Sequence, residues 1–163
     1  MSQTAQEIRP LRPQDVAGLR GVEILRGMVA GHIPRPPFSV TTRTLITEVE
    51  EGRVVFEGDP QADFVNPMGM VHGGWVAAIL DSAMACAIHS CLDVGQSYTT
   101  LELKVNYVRA VTPEMRRVRC EGRMLHVGGR VGTAEGKLID MDTGKLLAHG
   151  TETCMIFSPP AKG

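Results

Sequence analysis

Between Phe64 and Leu92 this 163-residue chain carries a single formally charged side chain, Asp81. With 21% of all residues charged, a window of that length would ordinarily hold about six. An acid kept alone among apolar neighbours has its charged form disfavoured, which pushes it towards the pKa of a useful general base. Nine residues earlier stands His72, in the run Asn66-Pro67-Met68-Gly69-Met70-Val71-His72-Gly73-Gly74. Asn66 and Gly69 suit a turn. Gly73 and Gly74 would let a ligand approach backbone amides at a helix start. Those amides lack intrahelical acceptors and sit at the positive end of the helix dipole, so they can stabilise an oxyanion. The chemistry suggested is attack on a polarised carbonyl.

Distance limits how these groups cooperate. Asp81 lies eight residues beyond Gly73, or about 12 Å along a helix at 1.5 Å per residue. One carboxylate cannot bridge that gap to a carbonyl held at the Gly73 amide of its own chain. If both act on one substrate they come from different subunits, and the site sits between two copies.

The segment that must carry Asp81 runs from about Gly73 to Cys91. Val76, Ala77, Ile79, Leu80, Ala83, Met84, Ala87 and Ile88 make it apolar on most sides, as expected of a buried helix. A membrane span is the rival, but Asp81 at mid-segment and the absence of basic flanks disfavour it. Around this helix the sequence reads as strands. Thr41 to Glu50 and Arg53 to Gly58 flank a turn at Glu51-Gly52, and Met115 to Val127 and Val131 to Met141 flank Gly128-Gly129. A turn at Asp142-Thr143-Gly144 leads into Lys145 to Phe157. From Thr99 to Arg109 the pattern alternates, which predicts Leu101, Leu103, Val105 and Tyr107 on a buried face and Glu102, Lys104 and Asn106 on a polar one. Hairpins in series imply an antiparallel sheet needing an apolar partner, and the buried helix supplies it. The fold class expected is α+β.

Before these elements, residues 1–17 read as a polar extension. Gly18 to Gly31 reads as a surface helix with Leu19, Val22, Leu25 and Met28 buried, stopped by Pro34, Pro36 and Pro37. The expected division is an N-terminal extension over 1–37, covering part of the sheet or a dimer contact, and a main domain over 38–158. Lys and Arg number 17 against 18 Asp and Glu, for a net charge of −1, which argues against nucleic acid as a partner. The four cysteines show no paired spacing, so neither a disulfide framework nor a metal site is expected. Cys86 and His89 share a helix face without a full ligand set, and plain packing is the expectation. No secretory signal is legible, and a cytoplasmic location is expected.

The run NPMGMVHGGWVAAILDSAMA, followed by TTLELKVNYVRAVTP, resembles the PaaI-like branch of the hotdog-fold acyl-CoA thioesterases. The similarity spans about residues 38 to 157. It implies a five- or six-stranded antiparallel sheet wrapped around a long helix, in a homodimer or a dimer of dimers. It also implies hydrolysis of an acyl-CoA thioester to a carboxylic acid and free coenzyme A. No cofactor is implied, coenzyme A being part of the substrate. Carried onto this sequence, the helix acid is Asp81, as nucleophile or general base, and the oxyanion amide is that of Gly73. The turn asparagine that orients the carbonyl or the water is Asn66, with His72 beside it. The strand hydroxyl that holds water in some members falls on Thr100, with Thr99 one residue away. Residues 109–137 hold seven Lys and Arg against three acids. Arg130, next to Gly129 at the turn, could hold a phosphate of coenzyme A with the turn amides. Trp75 could shape the acyl pocket or merely pack. Two other functions compete. A hydratase or dehydratase would pair the acid with a histidine about five residues on, where this chain has Cys86. A non-catalytic acyl-CoA sensor would be expected to lose the acid.

Overall fold

The computed structural model describes residues 6–158. Three short helices come first: α1 (Pro13–Val16), α2 (Gly21–Val29) and α3 (Pro37–Thr41). The strands β1 (Thr44–Glu50) and β2 (Arg53–Gly58) precede the long helix α4 (Gly73–His89), and β3 (Ser97–Tyr107), β4 (Val118–Val127), β5 (Val131–Asp140) and β6 (Leu146–Phe157) follow it. The six strands form one antiparallel sheet in the order β1-β2-β4-β5-β6-β3, with β1 and β3 at its edges. β1–β2, β4–β5 and β5–β6 are hairpins, as their turn residues predict, whereas β3 crosses to the far edge and pairs with β6.

The sheet curls around α4, whose Ile79, Leu80, Ala83, Met84, Ala87 and Ile88 are almost wholly buried. Glycines on the sheet's inner face allow a close approach. A Cβ at Gly122 of β4 would lie 2.2 Å from the Ala83 carbonyl oxygen, so only glycine lets helix backbone and strand meet there. At Gly136 of β5 the same space is filled by Met84. Among the described residues no helix is long and apolar enough to cross a membrane.

Three expectations need correction. The first strand starts at Thr44, not Thr41, because Pro36 and Pro37 open the short helix α3 and Thr42 bonds back to the Phe38 carbonyl. The amphipathic helix α2 is shorter at both ends than the expected Gly18 to Gly31, with Gly18 and Gly31 at positive φ outside it. The third concerns β3, where a bulge interrupts the register between Thr100 and Glu102. Leu101 is therefore 56% exposed, while Leu103 and Val105 keep their contact with the core. Tyr107 is also exposed, because β3 runs on past the N-terminus of α4, where the Tyr107 hydroxyl donates to the Gly73 carbonyl at 3.0 Å.

The N-terminal region packs on β1 and against α4. Leu25 of α2 belongs to the main core, and Met28 packs against it. Trp75 is 6% exposed, stacks on Phe64, and donates its indole N–H to the Thr42 carbonyl at 2.8 Å. It packs, and holds the start of β1 to the start of α4.

Candidate active site

The helix start is built by its own polar side chains. Asn66 Oδ1 accepts from the Met68 amide at 2.9 Å and from the Met70 amide at 3.3 Å, closing the turn that Gly69 completes at φ +80°. His72 is the N-cap of α4, and its Nδ1 accepts from the Gly74 amide at 2.9 Å. The His72 backbone amide is taken by the Phe64 carbonyl at 2.7 Å. Among the described residues, the Gly73 N–H finds no acceptor. It is partly exposed and borders a hollow of about 350 Å³ that Asn66, Tyr107 and Arg109 also line.

Asp81 lies two turns further along α4, away from that hollow. With Ser82, Ala85, Cys86 and His89 it forms the helix face not covered by the sheet, and this face lines a cavity of about 340 Å³. Tyr98 and Thr100 of β3 form one wall. Leu11, Leu25, Met28 and Phe38 form another, so the N-terminal region supplies apolar surface to the cavity that holds the acid. Burial raises the Asp81 carboxyl above its ordinary value, and the hydrogen bond from Thr100 opposes part of that rise. The Thr100 hydroxyl lies 3.2 Å from Asp81 Oδ1. Thr99 alternates to the exposed face.

A second carboxylate completes this cluster. Glu152 of β6 is 1% exposed, and its Oε1 lies 2.7 Å from Thr100 Oγ1. Burial, with the nearby Asp81 charge, pushes Glu152 up to about 7 against its hydrogen bonds from Thr100 and Cys154. The sequence reading did not single out Glu152. The signal was present: Ala148, Gly150, Glu152, Cys154 and Ile156 share one strand phase, and all are buried. An acid in the apolar phase of a strand is as conspicuous as an acid in an apolar helix.

The structure thus places the candidate residues in three locations. Asn66, His72 and Gly73 gather at the start of α4, and Asp81 joins Thr100 at its middle. Gly129 and Arg130 are exposed at the β4–β5 turn and line neither hollow. Beyond that turn, Gly132 faces Ile88, in the last part of α4. A separate surface hollow is lined by Arg35, Arg43 and Arg117, of which Arg43 is paired with Asp63 and Arg117 with Glu57 and Asp59. Cys86 and His89 lie beside Tyr98, the His89 and Tyr98 rings 5.2 Å apart. Among the described residues no group of three or more His, Cys, Asp or Glu is arranged to hold a metal ion.

The chain matches the model of the thioesterase superfamily over residues 68–147. Among solved structures it is similar to a phenylacetic acid degradation-related protein from Ralstonia eutropha JMP134, at 30% identity and a TM-score of 0.73 over 81% of this chain and 98% of that one. The E. coli PaaI protein from the phenylacetic acid degradation operon shares the fold, at 17% identity and a TM-score of 0.67 over 74% of this chain and 84% of that one. A Streptococcus mutans protein bound to acetyl-CoA does so too, at 19% identity and a TM-score of 0.63 over 71% of this chain and 89% of that one. No curated protein matches the sequence.

Proposed function

This chain belongs to the PaaI-like, hotdog-fold branch of the thioesterase superfamily, and from that premise we propose that it hydrolyses acyl-CoA thioesters at a site shared by two copies. The observation that carries the proposal is a divided site on one helix. Asp81 and Thr100 line an apolar cavity, while the Gly73 amide without an acceptor stands about 12 Å away on the same helix. Each half has what the other lacks, namely a base and an oxyanion donor.

The strand beside both halves supports a second copy as the missing partner. β3 is an 11-residue edge strand with Leu101 and Tyr107 more than half exposed, and an unpaired edge of that kind invites another strand. Thr100 marks the Asp81 half along β3, and Tyr107 marks the Gly73 half. Two β3 strands paired antiparallel about a two-fold axis between Leu103 and Lys104 would set Thr100 of one copy opposite Tyr107 of the other. Asp81 of each copy would then face Gly73 of its mate.

In the reaction, the thioester oxygen accepts from the Gly73 N–H of one copy, at the positive end of its α4. Asp81 of the other copy takes a proton from water as the water oxygen bonds to the carbonyl carbon. Collapse of the tetrahedral oxyanion breaks the C–S bond, and the coenzyme A thiolate leaves and is protonated. Asp81 then returns its proton to solvent. Its raised proton affinity suits the base role, and the Thr100 hydroxyl orients one carboxylate oxygen so that the other can face water. Asn66 and His72 act through the loop, by holding the turn and cap that present Gly73. The acyl group occupies the apolar cavity, and the coenzyme A arm leaves past the hollow beside Gly73.

The test is free-thiol release from acetyl-, hexanoyl-, palmitoyl- and phenylacetyl-CoA by the wild type and by Asp81→Asn. The reading expects release from at least one thioester and a loss of kcat of about 10² to 10⁴ in the variant. No release from any of them by the wild type would overturn it.

A further inference from the structure

The cluster around Thr100 contains more acceptors than protons. Thr100 Oγ1 lies 2.7 Å from Glu152 Oε1 and 3.2 Å from Asp81 Oδ1, yet a hydroxyl has one hydrogen to donate. With both carboxyls ionised, that hydrogen goes to the nearer acceptor, Glu152, and Asp81 loses its donor. Two anions then also share one poorly solvated site. Among the described residues no cation is paired with either carboxyl, although Arg35 and His89 line the cavity with Asp81. The titratable groups facing Glu152 are Asp81 and Cys86 from α4, Tyr98 from β3 and Cys154 from its own strand, whose S–H donates to Oε1 at 3.3 Å, while β5 presents Ala134. The second oxygen, Oε2, is buried without a hydrogen-bond partner, a costly arrangement for a charged carboxylate.

A proton on Glu152 resolves all of this. Placed on Oε1, it meets an acceptor at once, the Thr100 oxygen 2.7 Å away. Thr100 can then direct its own hydrogen to Asp81, which gives the ordered chain Glu152 O–H to Thr100, Thr100 O–H to Asp81 carboxylate. Oε2 becomes a neutral carbonyl oxygen, whose burial costs far less than that of an anion.

We propose that Glu152 is a positioning residue of the active site, which when protonated donates to Thr100 and so turns the Thr100 hydrogen onto Asp81, and which when ionised takes that hydrogen away. The proposal rests on the thioesterase reading, because its consequence is a catalytic one. Asp81 must be ionised to accept a proton from water, so activity rises with pH at the acid end. As Glu152 ionises, Thr100 turns away and Asp81 loses its orienting donor, so activity falls again at the alkaline end. Burial sets that fall at a midpoint of about 7. A carboxyl group would therefore govern the alkaline limb.

The experiment is the pH profile of kcat for thioester hydrolysis, from pH 5 to 9, in the wild type and three variants. Glu152→Gln cannot ionise, Glu152→Leu offers Thr100 no competing acceptor, and Thr100→Val removes the hydroxyl through which Glu152 acts. The wild type should show a bell, and every variant that folds should lose the alkaline limb. Glu152→Leu should also keep at pH 8.5 the activity it has at pH 7, where the wild type has lost severalfold. A wild-type profile without an alkaline limb overturns the proposal. So does a limb that persists with an unchanged midpoint in any one of the folded variants. A wild type that hydrolyses no thioester overturns the functional reading instead, and the two failures are distinguishable.

Discussion

The two halves of α4 use their polar side chains in opposite ways. At its start, Asn66 and His72 spend their acceptors on backbone amides, closing a turn and capping a helix. What remains for a substrate is a main-chain N–H, rigidly aimed because the side chains around it are committed. At its middle the backbone is satisfied within the helix, and the side chains of Asp81, Thr100 and Glu152 share too few hydrogens among themselves. One half is a fixed dipole that needs no titration; the other is a set of titrating groups whose arrangement depends on protonation. A carbonyl needs the first and a water needs the second, and a single straight helix keeps them apart.

Substitutions can be ranked by how sharply they separate these roles. Among substitutions that leave Asp81 in place, Gly73→Pro should have the largest effect. Proline is favoured at the first helical position, and His72, at φ −61° and ψ 136°, already has the backbone that a residue before proline requires. The helix should persist while its free amide is removed, the exposed Tyr107 ring giving a few tenths of an ångström to a Cβ that would lie 3.2 Å from it, with kcat falling about 10² to 10³-fold. Loss of circular dichroism along with activity would make the effect a folding one. Thr100→Val comes next, with a loss of about tenfold at pH 7, in keeping with a residue that orients a base without being one. Because the Thr100 bond lowers Asp81, its removal should move the acid limb of the pH profile upward. A downward move would contradict the assigned hydrogen bond. His72→Ala should have the smallest effect: a cap worth about 1 kcal/mol of stability is lost, with activity reduced only as far as the loop loosens. A loss as deep as that of Asp81→Asn would give His72 a chemical role and erase the contrast between the halves.

Much of this was legible from residue order. β2 has the bounds its pattern predicts, and α4 begins at the predicted Gly73. Asp81 stood out because burial removes charges from a helix unless one is kept for a reason. Other features were hidden for physical reasons. Strand pairing beyond hairpins is not a local property, so the move of β3 to the far edge could not be read from its turns. The bulge at Leu101 reverses inward and outward phase without altering the alternation of residue types. Leu25 and Met28 read as an ordinary buried stripe, and only the packing of α2 against α4 turns them into a cavity wall. Glu152 differs again: it was visible as an acid in the buried phase of β6, but strands rich in Thr and Glu do not draw attention as an uncharged helix does.

The central claim is that base and oxyanion donor come from different copies, and subunit mixing tests it most directly. Gly73→Pro and Asp81→Asn proteins, each nearly inactive alone, are mixed in equal amounts, allowed to exchange subunits, and assayed for thiol release. A hybrid dimer would pair Asp81 of the first variant with Gly73 of the second at one of its two sites. After random exchange the account predicts recovery to about one quarter of wild-type activity. No recovery, with hybrid dimers verified by mass, would contradict the shared site and place both halves of the reaction within one subunit.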